Sequence, residues 1–271
     1  MRMNYSMMSY TFSRQPRYFD IKAMLEVARD LKMSGVDWVT LHDRPAKELR
    51  QMSQDYGLPV VCHTFFADMD FPAAAGRQAG VDAARRGIEA AVALGAPVVM
   101  IPTIPKPGEP RGQARCNWIA GLQEVVDFGK QAGVAVTVEN FPGVWSPFVT
   151  SDDVLEAIQA VPGLRLTFDN GNASGGEPPG DSFARCARYV VHAHFKDWGE
   201  VLAGGENGMQ MLDGLYYKPA LIGEGCVDVR SCLAAMKESG YQGHINIEYE
   251  GDRYSPAEAV RRAVSYLRCM E

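Results

Sequence analysis

Short apolar segments alternate with helical stretches along the whole 271-residue chain, and this alternation restricts the fold more than any other feature of the sequence. Several segments are apolar throughout, for example Pro97–Ile101, which is typical of parallel strands covered on both faces. Eight segments are predicted as strands: Met3–Ser9, Val36–Leu41, Leu58–His63, Pro97–Ile101, Val134–Val138, Leu164–Phe168, Tyr189–His194 and His244–Glu248.

The stretches between these strands carry helix signals. Asp20–Met33 has apolar residues at helical spacing and begins with a capping aspartate. Gly35 is suited to the turn after this helix, and Gly133 and Gly240 stand at corresponding places later in the chain. The segment Ser255–Glu258 combines a serine cap, a proline and a glutamate at the spacing of a helix start.

Eight strands that alternate with about eight helices, without a break in composition, predict an α/β fold. We predict a single (β/α)8 TIM barrel that forms one domain over residues 1–271, since the length is close to the roughly 250 residues typical of this fold. One connection, Lys196–Asp228, is unusually long and contains Gly204 and Gly205. Either a lid or substrate loop or a disordered excursion would explain it.

Charge and composition narrow the class of partner. The net charge of −6 and the pI near 5.5 disfavour a surface that binds nucleic acid. No apolar run approaches the roughly 20 residues of a membrane helix, and the N-terminus lacks the apolar region of a signal peptide. The cysteines, which have no metal-ligand spacing, are expected to be small buried residues in a reducing compartment: Cys62, Cys116, Cys186, Cys226, Cys232 and Cys269. A cytoplasmic protein is the expectation.

Ionisable residues stand where the predicted strands end, which in a TIM barrel is the edge that carries the active site. Glu139, Asp169, His194 and Glu248 end the last four strands in chain order. Three carboxylates meeting in an apolar pocket would repel one another, and a divalent cation would remove that repulsion. Three carboxylates and one imidazole suit Mn, Mg or Co, with Zn also open.

Other histidines have simpler interpretations. His192 is expected to be a buried supporting residue one layer below His194, and His244 a residue of the opposite face of the barrel. His63 ends the third strand and Lys196 follows the seventh, so both belong to the predicted mouth.

At these residues the sequence resembles the xylose isomerase-like TIM-barrel superfamily, the sugar isomerase and epimerase group that also includes endonuclease IV and is described as AP endonuclease 2-like. The resemblance covers nearly the whole chain. The following segments carry it: Glu139-Asn140, Phe168-Asp169-Asn170-Gly171, His194-Phe195-Lys196-Asp197, Gly223-Glu224-Gly225, and Gly240-Tyr241-Gln242-Gly243 leading to Ile247-Glu248.

The resemblance implies roles for these residues. It implies that Glu139, Asp169, His194 and Glu248 bind the metal, and that Glu139 and Glu248 are also the catalytic acid and base. Lys196 and His63 are then expected to contact the substrate. Two further residues are assigned to substrate binding. Asn172 directly follows the Phe168-Asp169-Asn170-Gly171 segment, and Glu224 lies within Gly223-Glu224-Gly225. Asn172 stands where many relatives have a histidine, and an amide cannot act as an imidazole base.

The implied function is a divalent-metal-dependent isomerase or epimerase that moves protons on a small sugar-like ketone, a ketose or an inosose, through an enediolate. The same site would support an inosose-type dehydration. A non-catalytic sugar-binding barrel is the alternative of another class, and an endonuclease is the weakest one because five histidines and an acidic chain suit it poorly. No glycine-rich phosphate loop is present, so an unphosphorylated substrate is favoured. The metal, the substrate and a homo-oligomeric state are left open.

Overall fold

Eight parallel strands close into a barrel in the computed structural model, which describes residues 2–201, 205 and 208–271. The order around the barrel is β1-β11-β7-β6-β5-β4-β3-β2, so neighbours in the barrel are mostly neighbours in sequence. The barrel strands are β1 (Asn4–Met8), β2 (Gly35–Val39), β3 (Val60–Thr64), β4 (Val98–Ile101), β5 (Ala135–Glu139), β6 (Arg165–Asp169), β7 (Val190–Phe195) and β11 (His244–Ile247). The predicted (β/α)8 TIM barrel is confirmed.

Helices follow the strands and cover the outside of the barrel. The α-helices are α1 (Ser9–Ser13), α2 (Ile21–Asp30), α3 (Ala46–Asp55), α4 (Ala74–Leu94), α5 (Arg111–Ala132), α6 (Ser151–Ala160), α7 (Asn170–Ser174), α8 (Pro179–Cys186), α9 (Val229–Glu238) and α10 (Pro256–Cys269). Short 3-10 turns lie at Pro16–Tyr18 and Ala187–Tyr189. None of the described helices combines the length and the hydropathy that crossing a membrane requires.

All eight predicted strands are confirmed, and their ends differ from the prediction by at most two residues. Strand β2 ends at Val39 rather than Leu41 because Thr40 has a left-handed backbone with φ of 64°. Strand β3 extends one residue further than predicted, to Thr64. Because side chains alternate across a strand, Thr64 faces the barrel interior and His63 faces the opposite side.

Gly35 plays a different part from the one predicted. Helix α2 begins at the Asp20 cap, whose Oδ1 accepts from the N–H of Ala23 at 2.8 Å, but it ends at Asp30, and Lys32 makes the turn with φ of 51°. Gly35 opens β2, where a Cβ atom would lie 2.3 Å from Cγ1 of Val61. It is therefore a packing glycine of the sheet, whereas Gly133 and Gly240 have the predicted left-handed backbone.

The long connection after β7 contains a small antiparallel sheet. Its strands are β8 (Asp197–Val201), β9 (Met209–Gln210) and β10 (Tyr216–Ala220), in the order β8-β10-β9. Residues 202–204 and 206–207, which include the predicted Gly204, lie outside the described part. The described part of this connection contains regular strands, and its role as a lid stays a prediction.

The hydrophobic core lies mainly between the barrel and its helices, where Trp38, Trp118 and Phe168 are buried. The barrel interior is more polar, with Thr137 and Thr167 sharing a hydrogen bond of 2.7 Å. None of the six cysteines, all of which lie among the described residues, forms a disulfide bond. Burial was predicted for all of them but holds only for Cys62, Cys186 and Cys232, since the others are exposed.

Candidate metal centre

The carboxyl ends of four barrel strands bring together the four residues predicted as metal ligands. Glu139 ends β5, Asp169 ends β6, His194 lies in β7 and Glu248 follows β11. One nitrogen or oxygen atom of each residue lies within 4.8 Å of the corresponding atoms of the other three. At most 4% of any of these residues is exposed. They form one buried cluster at the mouth of the barrel.

The imidazole of His194 faces two carboxylates at the mouth and one deeper in the barrel. Its Nδ1 is 2.7 Å from Glu139 Oε1 and 3.6 Å from Glu248 Oε2. Its Nε2 lies 3.6 Å from Asp37 Oδ2. The two ring nitrogens therefore have different surroundings, and Nδ1 is the one directed to the cluster.

One asparagine and a helix start hold Asp169 in place. The side-chain Nδ2 of Asn140 donates to the Asp169 carbonyl at 2.8 Å, and the Asp169 N–H donates to Asn140 Oδ1 at 2.8 Å. Asp169 also caps α7, because its Oδ1 accepts from the N–H of Asn172 at 2.7 Å. Its second oxygen, Oδ2, is left to face the cluster. This geometry gives a physical reason for the Glu139-Asn140 pair in the sequence.

Lys196 supplies a positive charge beside the carboxylates. Its Nζ lies 3.3 Å from Glu248 Oε1, 3.3 Å from Glu250 Oε2 and 3.5 Å from Asp169 Oδ2. Burial alone would lower the pKa of Lys196, but Asp169 and Glu248 hold it well above its usual range. The ammonium group is therefore charged and shared among three carboxylates.

One lysine does not balance the acidic groups of the site. Burial raises the pKa of Glu248 to about 8 and the pKa of Asp169 to about 6, with Lys196 opposing the rise in both. For Glu250, burial alone would raise the pKa, but Lys196, Arg14 and Tyr10 together lower it. The cluster is short of positive charge when no ion is bound.

The donor atoms fit a divalent cation. Asp169 Oδ2 and Glu248 Oε2 are buried and have no hydrogen-bond partner among the described residues. Buried polar atoms normally have a partner, and a cation at the centre of the cluster would supply one. Three carboxylates with a single imidazole could hold Mn, Mg, Co or Zn.

Asp197, the residue after Lys196, fastens the loop that leads to α9. Its Oδ1 accepts from the N–H groups of Trp198 at 2.9 Å and Val227 at 3.0 Å, and its Oδ2 accepts from Gly223 at 2.9 Å and Gly225 at 3.1 Å. A Cβ atom on Gly225 would lie 2.2 Å from Asp197 Oδ1, so only glycine allows this approach. The Lys-Asp and Gly-Glu-Gly segments of the sequence are thus two halves of one contact.

Two of the predicted substrate residues are buried away from the cavity. His63 lies on the outward side of β3, where its Nδ1 is 2.7 Å from the carbonyl oxygen of Trp38. Asn172 is fully buried in α7, and neither polar atom of its side chain has a hydrogen-bond partner among the described residues. Neither residue lines the cavity at the mouth.

Glu224 is also outside the cavity. It is exposed, and its carboxylate accepts from Arg253 at 3.1 Å and from the Tyr254 hydroxyl at 2.9 Å. Its backbone belongs to the loop held by Asp197, whereas its side chain is directed to the start of α10. Of the four residues predicted to contact substrate, the structure places only Lys196 at the cavity wall.

A cavity of about 130 Å³ opens above the cluster. Its wall has two unlike halves. The residues contributed by β1 to β4 and the turns after them are mostly apolar, and those contributed by β5 to β11 are mostly ionisable. The first half consists of Met8, Tyr10, Val39, Thr64, Phe66, Met100, Pro102 and Ile104, and the second of Glu139, Phe141, His194, Lys196, Glu248 and Glu250.

Sequence reasoning did not find three polar residues of this region. Glu250 stands two residues after Glu248, and the alternation of side chains could have indicated that it faces the same cavity. Asp37 is a charged residue inside an apolar strand, which is a signal for a buried role. Tyr10 follows β1 and carries no such signal.

Comparison with known proteins places the fold and the site in context. A family model described as xylose isomerase-like TIM barrel matches residues 25–270, which is most of the chain. The chain belongs to this family. Among curated proteins, the chain is 28% identical over 162 residues to an inosose dehydratase of Lacticaseibacillus casei. That match covers 54% of the chain and 51% of the relative, so the chain spans about half of the length of this dehydratase.

Solved structures share the fold at lower sequence identity. The chain is similar to the IolI protein with a bound zinc atom, with a TM-score of 0.83 and 15% identity over 99% of the chain and 98% of that protein. It is also similar to the D-allulose 3-epimerase from Methylomonas sp. in complex with D-allulose, with a TM-score of 0.79 and 15% identity over 100% of the chain and 98% of the epimerase.

Proposed function

We propose that this chain is a divalent-metal-dependent isomerase or epimerase that moves a proton on a small sugar-like ketone, a ketose or an inosose. The observation that carries the proposal is the buried cluster of Glu139, Asp169, His194 and Glu248. The inosose dehydratase and the D-allulose 3-epimerase support the substrate class, since an inosose and D-allulose are both small sugar-like ketones.

The bound ion would polarise the substrate carbonyl and offset the charge that develops when the neighbouring carbon loses its proton. Glu139 and Glu248 transfer the protons in this proposal. They come from β5 and β11, which are separated by β6 and β7 in the barrel, so they approach the cavity from different directions. Lys196, held between Glu248 and Glu250, would donate to a substrate oxygen.

The cavity favours an unphosphorylated substrate. None of the described residues in its wall is an arginine, and Lys196 is already paired with three carboxylates. Return of the proton to the opposite face of the same carbon gives epimerisation, and return to the adjacent carbon gives isomerisation. Loss of a hydroxide from the same intermediate gives dehydration, for which the inosose dehydratase relative argues.

Metal content and proton exchange test the proposal together. Elemental analysis of the purified protein should find about one divalent ion per chain, and Glu248→Gln should lose most of it. A panel of ketoses and inososes incubated in D₂O should show deuterium entering next to the carbonyl with wild type and not with Glu248→Gln. Glu89→Gln, an exposed substitution on α4, serves as the control and should match wild type.

Two results would contradict this function. A wild-type protein that holds no ion, and whose melting temperature is unchanged by added metal and by chelator, would remove the metal centre. An ion without deuterium exchange on any member of the panel would favour a binding barrel instead.

A further inference from the structure

A carboxylate lies buried beneath the predicted metal centre and faces two histidines of β7. Asp37 is in the middle of β2 and is fully buried. Its Oδ2 lies 3.6 Å from Nε2 of His192 and 3.6 Å from Nε2 of His194. The two imidazole rings are nearly perpendicular, at 87°, with centroids 5.4 Å apart. The same carboxylate therefore lies next to both imidazole rings, which approach it from different angles.

Other strands hold this carboxylate in place. Asn246 of β11 donates its Nδ2 to Asp37 Oδ2 at 2.7 Å, and Thr64 of β3 donates its hydroxyl to both oxygens at 3.2 and 3.3 Å. Ser6 of β1 donates in turn to Asn246 Oδ1. These donors fix the position of the Asp37 carboxylate beneath the two imidazole rings.

An imidazole that binds a metal through one nitrogen must carry its proton on the other, and that N–H needs an acceptor. In His194, Nδ1 faces Glu139 and Glu248, and Nε2 faces Asp37. Nε2 has no partner within hydrogen-bond distance among the described residues, and the Asp37 carboxylate lies 3.6 Å from it.

We propose that Asp37 is the positioning residue of the metal centre: it keeps the proton of His194 on Nε2 and so leaves Nδ1 free to bind the divalent ion. His192 contacts the same carboxylate and fixes its orientation. This inference rests on the proposed function, because it requires that His194 be a ligand. Asp37 itself is separated from the cavity and touches neither substrate nor ion.

The test compares Asp37→Asn with wild type by titration with Zn²⁺ or Mn²⁺ alone, in competition with a chelator of known affinity. Loss of the charge next to a ligating histidine should weaken metal binding by roughly 10- to 100-fold. Asp70→Asn is the matched control, because Asp70 is equally buried but accepts from Asn117 at 2.8 Å instead of facing a histidine. Its metal affinity should stay within about twofold of wild type.

A spectroscopic measurement separates positioning from a general loss of structure. In the zinc-loaded protein labelled with ¹⁵N-histidine, wild-type His194 should show a protonated Nε2 and a metal-bound Nδ1. If Asp37→Asn does not fold, Thr64→Val keeps the carboxylate and removes one of its donors. That variant should weaken metal binding by roughly two- to tenfold.

The outcomes distinguish this inference from the proposed function. A wild type that binds no divalent ion overturns both. If Asp37→Asn binds the ion as tightly as wild type, only the role of Asp37 is overturned. The same holds if wild type binds zinc through Nε2 of His194. Two ions per chain, one of them lost in both Asp37→Asn and His192→Gln, would make Asp37 a ligand and overturn its positioning role.

Discussion

Replacing Asp197 by alanine should destabilise the protein, because its carboxylate accepts four backbone hydrogen bonds. The N–H groups of Trp198 and Val227 are buried, and a buried donor left unpaired costs about 1–3 kcal/mol. Those of Gly223 and Gly225 are more exposed and can turn to water at lower cost. We expect the free energy of unfolding to fall by about 4 kcal/mol, which most proteins of this kind survive.

Urea unfolding followed by circular dichroism measures this change, provided that metal is removed from all samples. Asp197→Asn is the informative companion variant, because its amide oxygen can keep the two bonds made by Oδ1. It should lose about half as much stability as the alanine variant. Asp252→Ala, an exposed substitution before α10, should stay within about 0.5 kcal/mol of wild type.

A loss of less than about 1 kcal/mol in Asp197→Ala would refute this reasoning, since it would mean that water replaces all four bonds. An asparagine variant as unstable as the alanine variant would show that the charge, and not the number of acceptor atoms, holds the loop. In either case the Lys-Asp and Gly-Glu-Gly segments would need another explanation.

Three further predictions concern the cluster itself. The folded-state pKa of Glu248, about 8, lies above the usual 4.5, so its contribution to the stability of the metal-free protein is complete below about pH 4.5 and is lost as the pH rises through 8. We therefore compare the free energies of unfolding of Glu248→Gln and wild type in the presence of chelator. The variant minus wild-type difference should be about 4 kcal/mol larger near pH 8.5 than near pH 5, as measured by urea unfolding at both pH values. A difference independent of pH would contradict this. Gly171→Ala should lower the free energy of unfolding by roughly 1–3 kcal/mol in the same assay, because the added Cβ would lie 2.6 Å from Cγ of Lys196 and 3.1 Å from Nε1 of Trp198. Unchanged stability would show that Lys196 moves freely. Removal of metal from wild type should lower the melting temperature, since an ion at about 100 times its Kd stabilises by about 2.7 kcal/mol; calorimetry with and without chelator checks this, and equal midpoints would argue against a resident ion.

The periodicity of the sequence was sufficient for the fold because strands and helices in a TIM barrel depend on local pattern. Apolar runs such as Pro97–Ile101 are typical of buried parallel strands, and an ionisable residue directly after such a strand is expected at the mouth of the barrel. That reasoning brought Glu139, Asp169, His194 and Glu248 together without knowledge of any distance. Their role as metal ligands remains a prediction.

The missed residues depend on details that periodicity does not carry. His63 and Thr64 lie on opposite faces of β3, and the apolar run before them did not show which of the two faces the interior, so His63 was assigned to the cavity and Thr64 was not. Glu224 was assigned by its place in a family segment, but the backbone of that segment makes the contact with Asp197, and its side chain turns outward. Asp37 could not be paired with His192 and His194 without the closure of the barrel, which brings β2 and β7 together across its interior.

Under the proposed function, the apolar half of the cavity wall would determine which substrate fits, and the ionisable half would carry out the chemistry. Every residue of the cluster comes from the later strands, whereas Met8, Val39, Met100 and Ile104 come from the earlier ones. Under the proposed function, substitutions at the earlier positions would reshape the room for a substrate without changing the number of charges around the ion. An ancestral barrel of this design could therefore diverge toward new substrates by altering one side only, and the same side is where directed evolution of this protein should begin.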